Sequence, residues 1–154
     1  MERATVIVNR RARGLVEDGP LLRAVTRPRS GIAVMETRSL EELDRAAASI
    51  AHDPPGAVAF AGGDGTYMAG VTALAKAFGD APPPLALLPG GTVSTVARNW
   101  LASAVDRRAW SRPRDAAIYA DRLLDAILGG AARSHARPTL RVADERGARV
   151  GFIA

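Results

Sequence analysis

Apolar residues along this chain come in two patterns: short unbroken runs, and longer stretches in which they return every three or four positions. The unbroken runs predict strands near residues 4–9, 32–36, 57–61 and 85–88, the third with the continuous apolar character of a strand covered on both faces. Between them lie helical patterns. A weak one runs from Leu15 to Val25. A stronger one opens at Ser39, a good N-cap with Glu42 three residues on as its capping-box partner, and places Leu40, Leu43, Ala46, Ala47 and Ile50 at helical spacing. A third runs from Tyr67 to about Phe78, with Met68, Val71, Ala75 and Phe78 expected in the core. A fourth starts at Asp115, aligns Ala116, Ala120, Leu123, Leu124, Ile127 and Leu128, and ends at Gly129-Gly130. Pro28 to Gly31, Pro54 to Gly56 and the Pro82 to Pro84 run separate these elements. Such alternation of strand and helix predicts an α/β fold: a three-layer arrangement with a largely parallel sheet and helices on both faces.

The last part of the chain breaks the rhythm. Thr139 to Ala143 alternates like a strand, Asp144 to Gly147 reads as a turn, and Arg149 to Ala154 begins another strand. Residues 1–136 are therefore expected to form one α/β domain, and residues 137–154 the start of a second, β-rich domain of which this chain holds only the beginning. An unpaired apolar edge there predicts self-association, as a homo-oligomer, through residues 139–154.

Composition narrows the classes of function. A chain of 154 residues with 47% hydrophobic content is the size of one ordinary domain and can build a core. Without cysteine it makes no disulfide or thiolate–metal site, and its two histidines, His52 and His135, sit in different segments without ligand spacing, so zinc is not expected. The apolar run at the N-terminus is too short for a signal-peptide core, and none approaches a membrane span, so a cytoplasmic protein is expected. All of the 21 basic residues except Lys76 are arginine, and the net charge is +5. That charge suits anionic ligands or lipid surfaces. The arginines are spread over many segments as a solvated surface would be, and aromatics, at 5%, are not interleaved with them, so no nucleic-acid partner is expected.

Candidate chemistry gathers at two strand ends. Val58 to Ala61 leads into Gly62-Gly63-Asp64-Gly65-Thr66 and then a helix. Glycines in such a turn leave no Cβ in the way of a phosphate, and the free N–H groups and positive dipole end of the following helix favour an anion. Asp64 also suits capping of a helix that begins near Thr66. Leu88-Pro89-Gly90-Gly91-Thr92 ends the fourth strand with a second glycine-threonine turn, so two turns stand ready for a nucleotide's phosphates. Asn9, at the end of the first strand, and Thr37, at the end of the second, lie where ligands gather in parallel sheets.

Gly62-Gly63-Asp64-Gly65-Thr66 resembles the nucleotide-phosphate motif of diacylglycerol kinases, sphingosine kinases and bacterial lipid kinases and, more distantly, of NAD kinases. Leu88 to Arg98 resembles the second motif of the same family. Three positions depart from the pattern: Arg10 stands where a proline is usual, Met68-Ala69 replaces an Asn-Glu pair, and Ser94 replaces an asparagine. The resemblance implies a nucleotide-binding domain with ATP as phosphoryl donor and Mg2+ as its companion. It also implies donor-phosphate binding by Gly62, Gly63, Asp64, Gly65 and Thr66, completed by Gly91 and Thr92, with Asn9 and Thr37 on the rest of the nucleotide. Asp64 is the candidate catalytic residue, through magnesium or by ordering the turn. The acceptor is then a lipid such as diacylglycerol, reached by peripheral contact with the inner membrane surface, and the general base lies in the second domain. The resemblance covers nearly all of this chain but about half of such an enzyme. Two alternatives stay open: a noncatalytic nucleotide-binding or interaction module, and an NAD-kinase-like enzyme.

Overall fold

In the computed structural model, residues 3–92, 94–101 and 113–152 are described. Four strands, β1 (Ala4–Asn9), β2 (Ile32–Thr37), β3 (Ala57–Gly62) and β4 (Leu85–Pro89), form one sheet in the order β2-β1-β3-β4. Every pairing in it is parallel, with Ala4 opposite both Ile32 and Ala57, and Val58 opposite Leu85. The chain therefore runs outward from β1 to β2, then returns past β1 to build β3 and β4 on the other side. This reversal between β1 and β3 is the switch point at whose carboxyl end a parallel sheet leaves a crevice.

Alternation along each strand divides the core. Ile7, Val58, Phe60 and Leu87 face one side, where they pack with α2 (Leu40–His52), α3 (Asp64–Phe78) and α4 (Thr95–Leu101). Val6, Val8, Ala59, Ala61 and Leu88 face the other, against α1 (Pro20–Thr26) and α5 (Pro113–Leu128). All six residues of β3 are buried, as its unbroken apolar run predicts. Burial on both faces is what holds this strand at the centre, each large side chain contributing about 1.5–3 kcal/mol.

Several helices differ from expectation in instructive ways. The weak pattern from Leu15 to Val25 is two elements, a single 3-10 turn at Arg13–Leu15 and α1, which begins at Pro20. Proline at the first helical position supplies a preset φ and no N–H that would go unused, so the helix starts there rather than at Leu15. Helix α2 has the expected start, with Ser39 Oγ accepting from the Glu42 N–H at 3.2 Å, but its Leu40 is exposed and the buried stripe is Leu43, Ala46, Ala47 and Ile50. Helix α3 begins at Asp64, and its core face is Tyr67, Val71, Ala73 and Leu74, whereas Met68 is exposed. The basic stretch from Arg107 to Arg112 lies outside the described residues.

On the α1 and α5 side, the buried Arg29 side chain joins the loop before β2 to α5. Its guanidinium donates to the Ala24 carbonyl at 2.8 Å and pairs with Asp121 and, at 3.5 Å, with Asp125.

The final strands, β5 (Thr139–Asp144) and β6 (Gly147–Phe152), form an antiparallel hairpin separate from the main sheet. Its β6 strand lies along α3. Thr72 Oγ1 accepts from the Val150 N–H at 3.0 Å and also stands 3.0 Å from the Val150 carbonyl. Met68 Sδ accepts from the Phe152 N–H, and Phe152 meets Trp100 of α4 edge to face, with ring centroids 4.4 Å apart. Met68 lies about 100° round α3 from Tyr67, off the buried stripe, and the hairpin docks on it. Strand β5 is exposed throughout, with Leu140 and Val142 more than half exposed. No helix among the described residues is long and apolar enough to cross a membrane.

Candidate functional site

The carboxyl ends of β1, β3 and β4 bring three loops together. Gly90, just after β4, donates its N–H to the Gly62 carbonyl at 2.6 Å, and the Gly90 carbonyl accepts from the Gly14 N–H at 3.0 Å. The two glycine turns touch backbone to backbone. A Cβ on Gly91 would stand 2.5 Å from Gly63 Cα, and one on Gly63 would stand 3.1 Å from Gly91 Cα. Glycine is needed at these positions for space. None of Gly62, Gly63, Gly90 and Gly91 has positive φ, so left-handed backbone is not the reason for them.

Helix α3 starts on this contact. Gly63 is its N-cap and offers no side chain to the helix amides; its carbonyl accepts from the N–H groups of Thr66 and Tyr67. Among the described residues the amides of Asp64 and Gly65 carry no hydrogen bond, and Gly65 is exposed with open space where a Cβ would be. An anion approaching here meets unpaired donors and the positive end of a 15-residue helix.

Asp64 does not cap its own helix. Its Oδ2 accepts from the Thr95 N–H at 2.9 Å and its Oδ1 from the Val96 N–H at 3.0 Å, so it caps α4, the helix that follows the second turn. With Gly63 at the N-cap, Asp64 is the first residue inside α3, and the Gly63–Gly91 contact delivers the start of α4 to its carboxylate. One side chain therefore ties the first turn to the element that carries the second.

Asn9 and Thr66 meet across the β1/β3 switch point. Asn9 Nδ2 donates to Thr66 Oγ1 at 2.8 Å, while Asn9 Oδ1 accepts from the Arg11 N–H at 2.9 Å and folds the loop after β1 into a tight turn. Thr66 is buried, and its side chain fills the space that a Cβ on Gly62 would claim, at 2.3 Å. Thr37 stands apart at the end of β2. It is buried, its Oγ1 faces the Val8 carbonyl at 3.5 Å, and its own carbonyl accepts from the Arg10 N–H at 2.9 Å. Two strand spacings separate it from β3, roughly 10 Å. Thr92 is exposed beyond Gly91. Arg10 turns back toward Glu36 at 3.6 Å.

Two further residues at the site lie outside the expected nucleotide-binding set. Tyr67, fully buried, places its hydroxyl 2.9 Å from the Gly62 carbonyl and 3.0 Å from the Leu88 carbonyl. Burial holds its phenol well above the usual tyrosine range; the nearby Ser94 hydroxyl partly offsets this, and the Asp64 carboxylate adds to it. Ser94 is buried and sits at φ 50, in the left-handed region that asparagine and glycine adopt more readily than serine. The asparagine usual at this place in the resembled family was the available clue to that backbone.

A cleft of about 990 Å3 lies elsewhere, between the C-terminal half of α3, the start of β4 and the hairpin. Trp100, Phe152, Lys76 and Arg137 are among its lining residues, and none of the glycine-turn residues is. The convergence of three loops and unpaired amides, rather than this open cleft, marks the candidate site.

The model of the diacylglycerol kinase catalytic domain matches residues 3–126. The chain belongs to the diacylglycerol kinase catalytic domain family. The fold agrees with solved members. A diacylglycerol kinase from Bacillus anthracis str. Sterne superimposes with a TM-score of 0.52 at 23% identity over 79% of this chain and 44% of that one. Two structures of a proposed diacylglycerol kinase from the same organism give TM-scores of 0.52 and 0.51 at 22% and 23% identity. They cover 80% and 75% of this chain, and 41% and 40% of theirs. The chain thus spans about two fifths of the length of these structures. No curated protein matches it. The matched residues of this kinase-family domain include both glycine turns, Asp64, Asn9 and Thr37.

Proposed function

We propose that this chain is the ATP-binding domain of a lipid kinase of the diacylglycerol kinase type, which transfers the γ-phosphoryl group to a lipid hydroxyl when joined to a second, β-rich domain that begins at the hairpin. The observation that carries the reading is the closure of the two glycine turns on each other at the β1/β3 and β4 strand ends, with Asp64 tying them together and the Asp64 and Gly65 amides left open. In phosphoryl transfer the lipid oxygen bonds to the γ-phosphorus, the bond to the β-phosphate oxygen breaks, ADP leaves, and the hydroxyl proton passes to a base. Such a reaction depends on positioning and charge neutralisation more than on covalent participation by the protein.

This chain supplies the positioning. The open amides bind donor phosphate oxygens, the Asn9–Thr66 pair fixes the floor between β1 and β3, and Thr37 borders the nucleotide on the β2 side. Mg2+ accompanies the nucleotide and neutralises its phosphate charge. Asp64 is the carboxylate between the turns; each of its oxygens keeps a lone pair beyond its bond to α4, which fits contact with the hydrated ion. A membrane lipid as acceptor places the enzyme at the inner membrane surface, where a +5 chain is attracted to anionic lipid.

Calorimetric titration with Mg-ATP tests the reading. Saturable binding, weakened by Asp64→Ala, is expected. Two folded proteins that both give no binding heat, or that bind ATP equally, would contradict it. Met68 favours a second reading, a noncatalytic nucleotide-binding module, because its thioether is spent on the Phe152 N–H at the place of the family's Asn-Glu pair. Magnesium-dependent phosphorylation of diacylglycerol by a longer chain would reject that reading, and phosphorylation of NAD instead would point to an NAD-kinase-like enzyme.

A further inference from the structure

Each glycine turn is launched from a strand end, and the last residues of the two strands are held together by a side chain as well as by the ladder. Gly62 pairs in register with Pro89, whose missing N–H would point away from β3 and so costs the ladder nothing. The Gly90 N–H donates to the Gly62 carbonyl at 2.6 Å, in the same phase as the Val58 N–H on the Pro84 carbonyl, so regular pairing runs up to the turns. One side chain braces that end. The Tyr67 hydroxyl lies within hydrogen-bond distance of both the Gly62 and Leu88 carbonyls. Tyr67 is on the first turn of α3, so its ring returns from the helix to the strand ends that flank that helix's own start. It is fully buried, and burial keeps its phenol protonated and therefore a donor at every physiological pH.

We propose that Tyr67 is a positioning residue for the donor phosphates, its hydroxyl locking the ends of β3 and β4 and so fixing the spacing between the two glycine turns. This rests on the ATP-binding reading above. The Gly62 carbonyl retains Gly90 if the hydroxyl is removed, whereas the β4 end at Leu88 loses its link to α3. The turn containing Gly90 and Gly91 keeps its bond to Gly62 and its tie through Asp64 but loses this brace, so its spacing from the Asp64 and Gly65 amides is held less tightly. Phosphate binding by several amides at once is sensitive to that spacing, because the donors must converge on the same oxygens. Phenylalanine fills the same volume, so packing against Phe60 and Leu74 in the same core cluster is kept.

The test is calorimetry with Mg-ATP and with inorganic tripolyphosphate on the 154-residue chain, its Tyr67→Phe variant, and a variant with 4-aminophenylalanine at position 67, which restores a donor. Tyr67→Phe is expected to weaken both ligands about tenfold, the equivalent of one lost hydrogen bond, and 4-aminophenylalanine to restore them. Val25→Ala, a core truncation on the opposite face of the sheet, is expected to lower the melting temperature while leaving both affinities unchanged. A wild-type chain that binds neither ligand would overturn the ATP-binding reading and this proposal with it. Wild-type binding with an unaltered Tyr67→Phe affinity would overturn this proposal alone. So would equal weakening by Val25→Ala, or failure of 4-aminophenylalanine to restore affinity, since either would make Tyr67 a source of general stability only.

Discussion

Gly91→Ala probes the backbone contact on which the site is built. The added Cβ would stand 2.5 Å from Gly63 Cα and 3.2 Å from Gly63 N, both backbone atoms that cannot swing aside as a side chain could. Carbon atoms in contact prefer about 3.5–4.0 Å, so the two turns must part by about 1 Å. Forcing a well-packed contact open costs about 1–3 kcal/mol. The same movement strains the Gly90 N–H to Gly62 carbonyl bond and the Asp64 bonds to Thr95 and Val96, which adds roughly 1 kcal/mol. The expected loss is about 2–4 kcal/mol, a drop of roughly 4–16 °C in melting temperature for a chain of this size. Gly65→Ala is the matched control. It lies in the same motif and inside α3, but its Cβ would meet nothing within 4 Å, so the change is expected to be neutral or to stabilise by up to about 1 kcal/mol. Thermal unfolding of both variants, followed by far-UV circular dichroism, reads the difference. A Gly91→Ala melting temperature within about 1 °C of wild type, or a larger loss in Gly65→Ala than in Gly91→Ala, would refute the close approach of the turns.

Other consequences are separately measurable. The chain has 2 tyrosines, Tyr67 and Tyr119, and burial raises both phenols above their usual range. A raised native pKa means that the stability they contribute is complete below about pH 10 and falls at higher pH, as the unfolded chain ionises and the native chain does not, by up to about 1.4 kcal/mol per pH unit for each group. Ultraviolet titration is therefore expected to show no phenolate until the protein unfolds; a smooth noncooperative rise near pH 10 would contradict this. Ser94→Asn, which places a residue tolerant of left-handed backbone at φ 50, is expected to raise stability by about 0.5–1 kcal/mol in urea unfolding, and a loss would argue against that backbone. Arg29→Ala leaves the Ala24 carbonyl without its donor and removes the tie between the loop before β2 and α5; because Asp121 and Asp125 are partly solvated, a loss of about 1–3 kcal/mol is expected rather than the full cost of a buried pair, and an unchanged urea midpoint would count against the bridge.

The parallel sheet was readable from the chain because its strands are apolar runs too short for helices and set off by glycine, proline and polar breakers. The motif turn was readable for a related reason: a glycine cluster after such a run has few structural uses. Pairings between distant residues were not readable. Asp64 was expected to cap the helix it begins, a local rule, yet its partners are 31 and 32 residues away. Met68 shares helical spacing with Val71, Ala75 and Phe78, yet the buried stripe runs through Tyr67, Val71 and Leu74, and Met68, off that stripe, meets the Phe152 N–H of a hairpin 84 residues on. Tyr67 scans as one more apolar position on α3, since nothing in a helix pattern reports where a hydroxyl at its edge will land. Pro20, which starts α1, was a local signal, and the pattern from Leu15 to Val25 passed over it.

Amide NMR during an Mg-ATP titration of the isotope-labelled chain tests the central claim most directly, because it reports where the phosphates bind as well as whether they do. The largest shifts are expected at Gly63, Asp64, Gly65 and Gly91, with smaller ones at Thr66 and Asn9, and little change around Lys76, Trp100 and Phe152. Shifts concentrated in that second group, in the cleft beside the hairpin, with the glycine-turn amides unmoved, would contradict it.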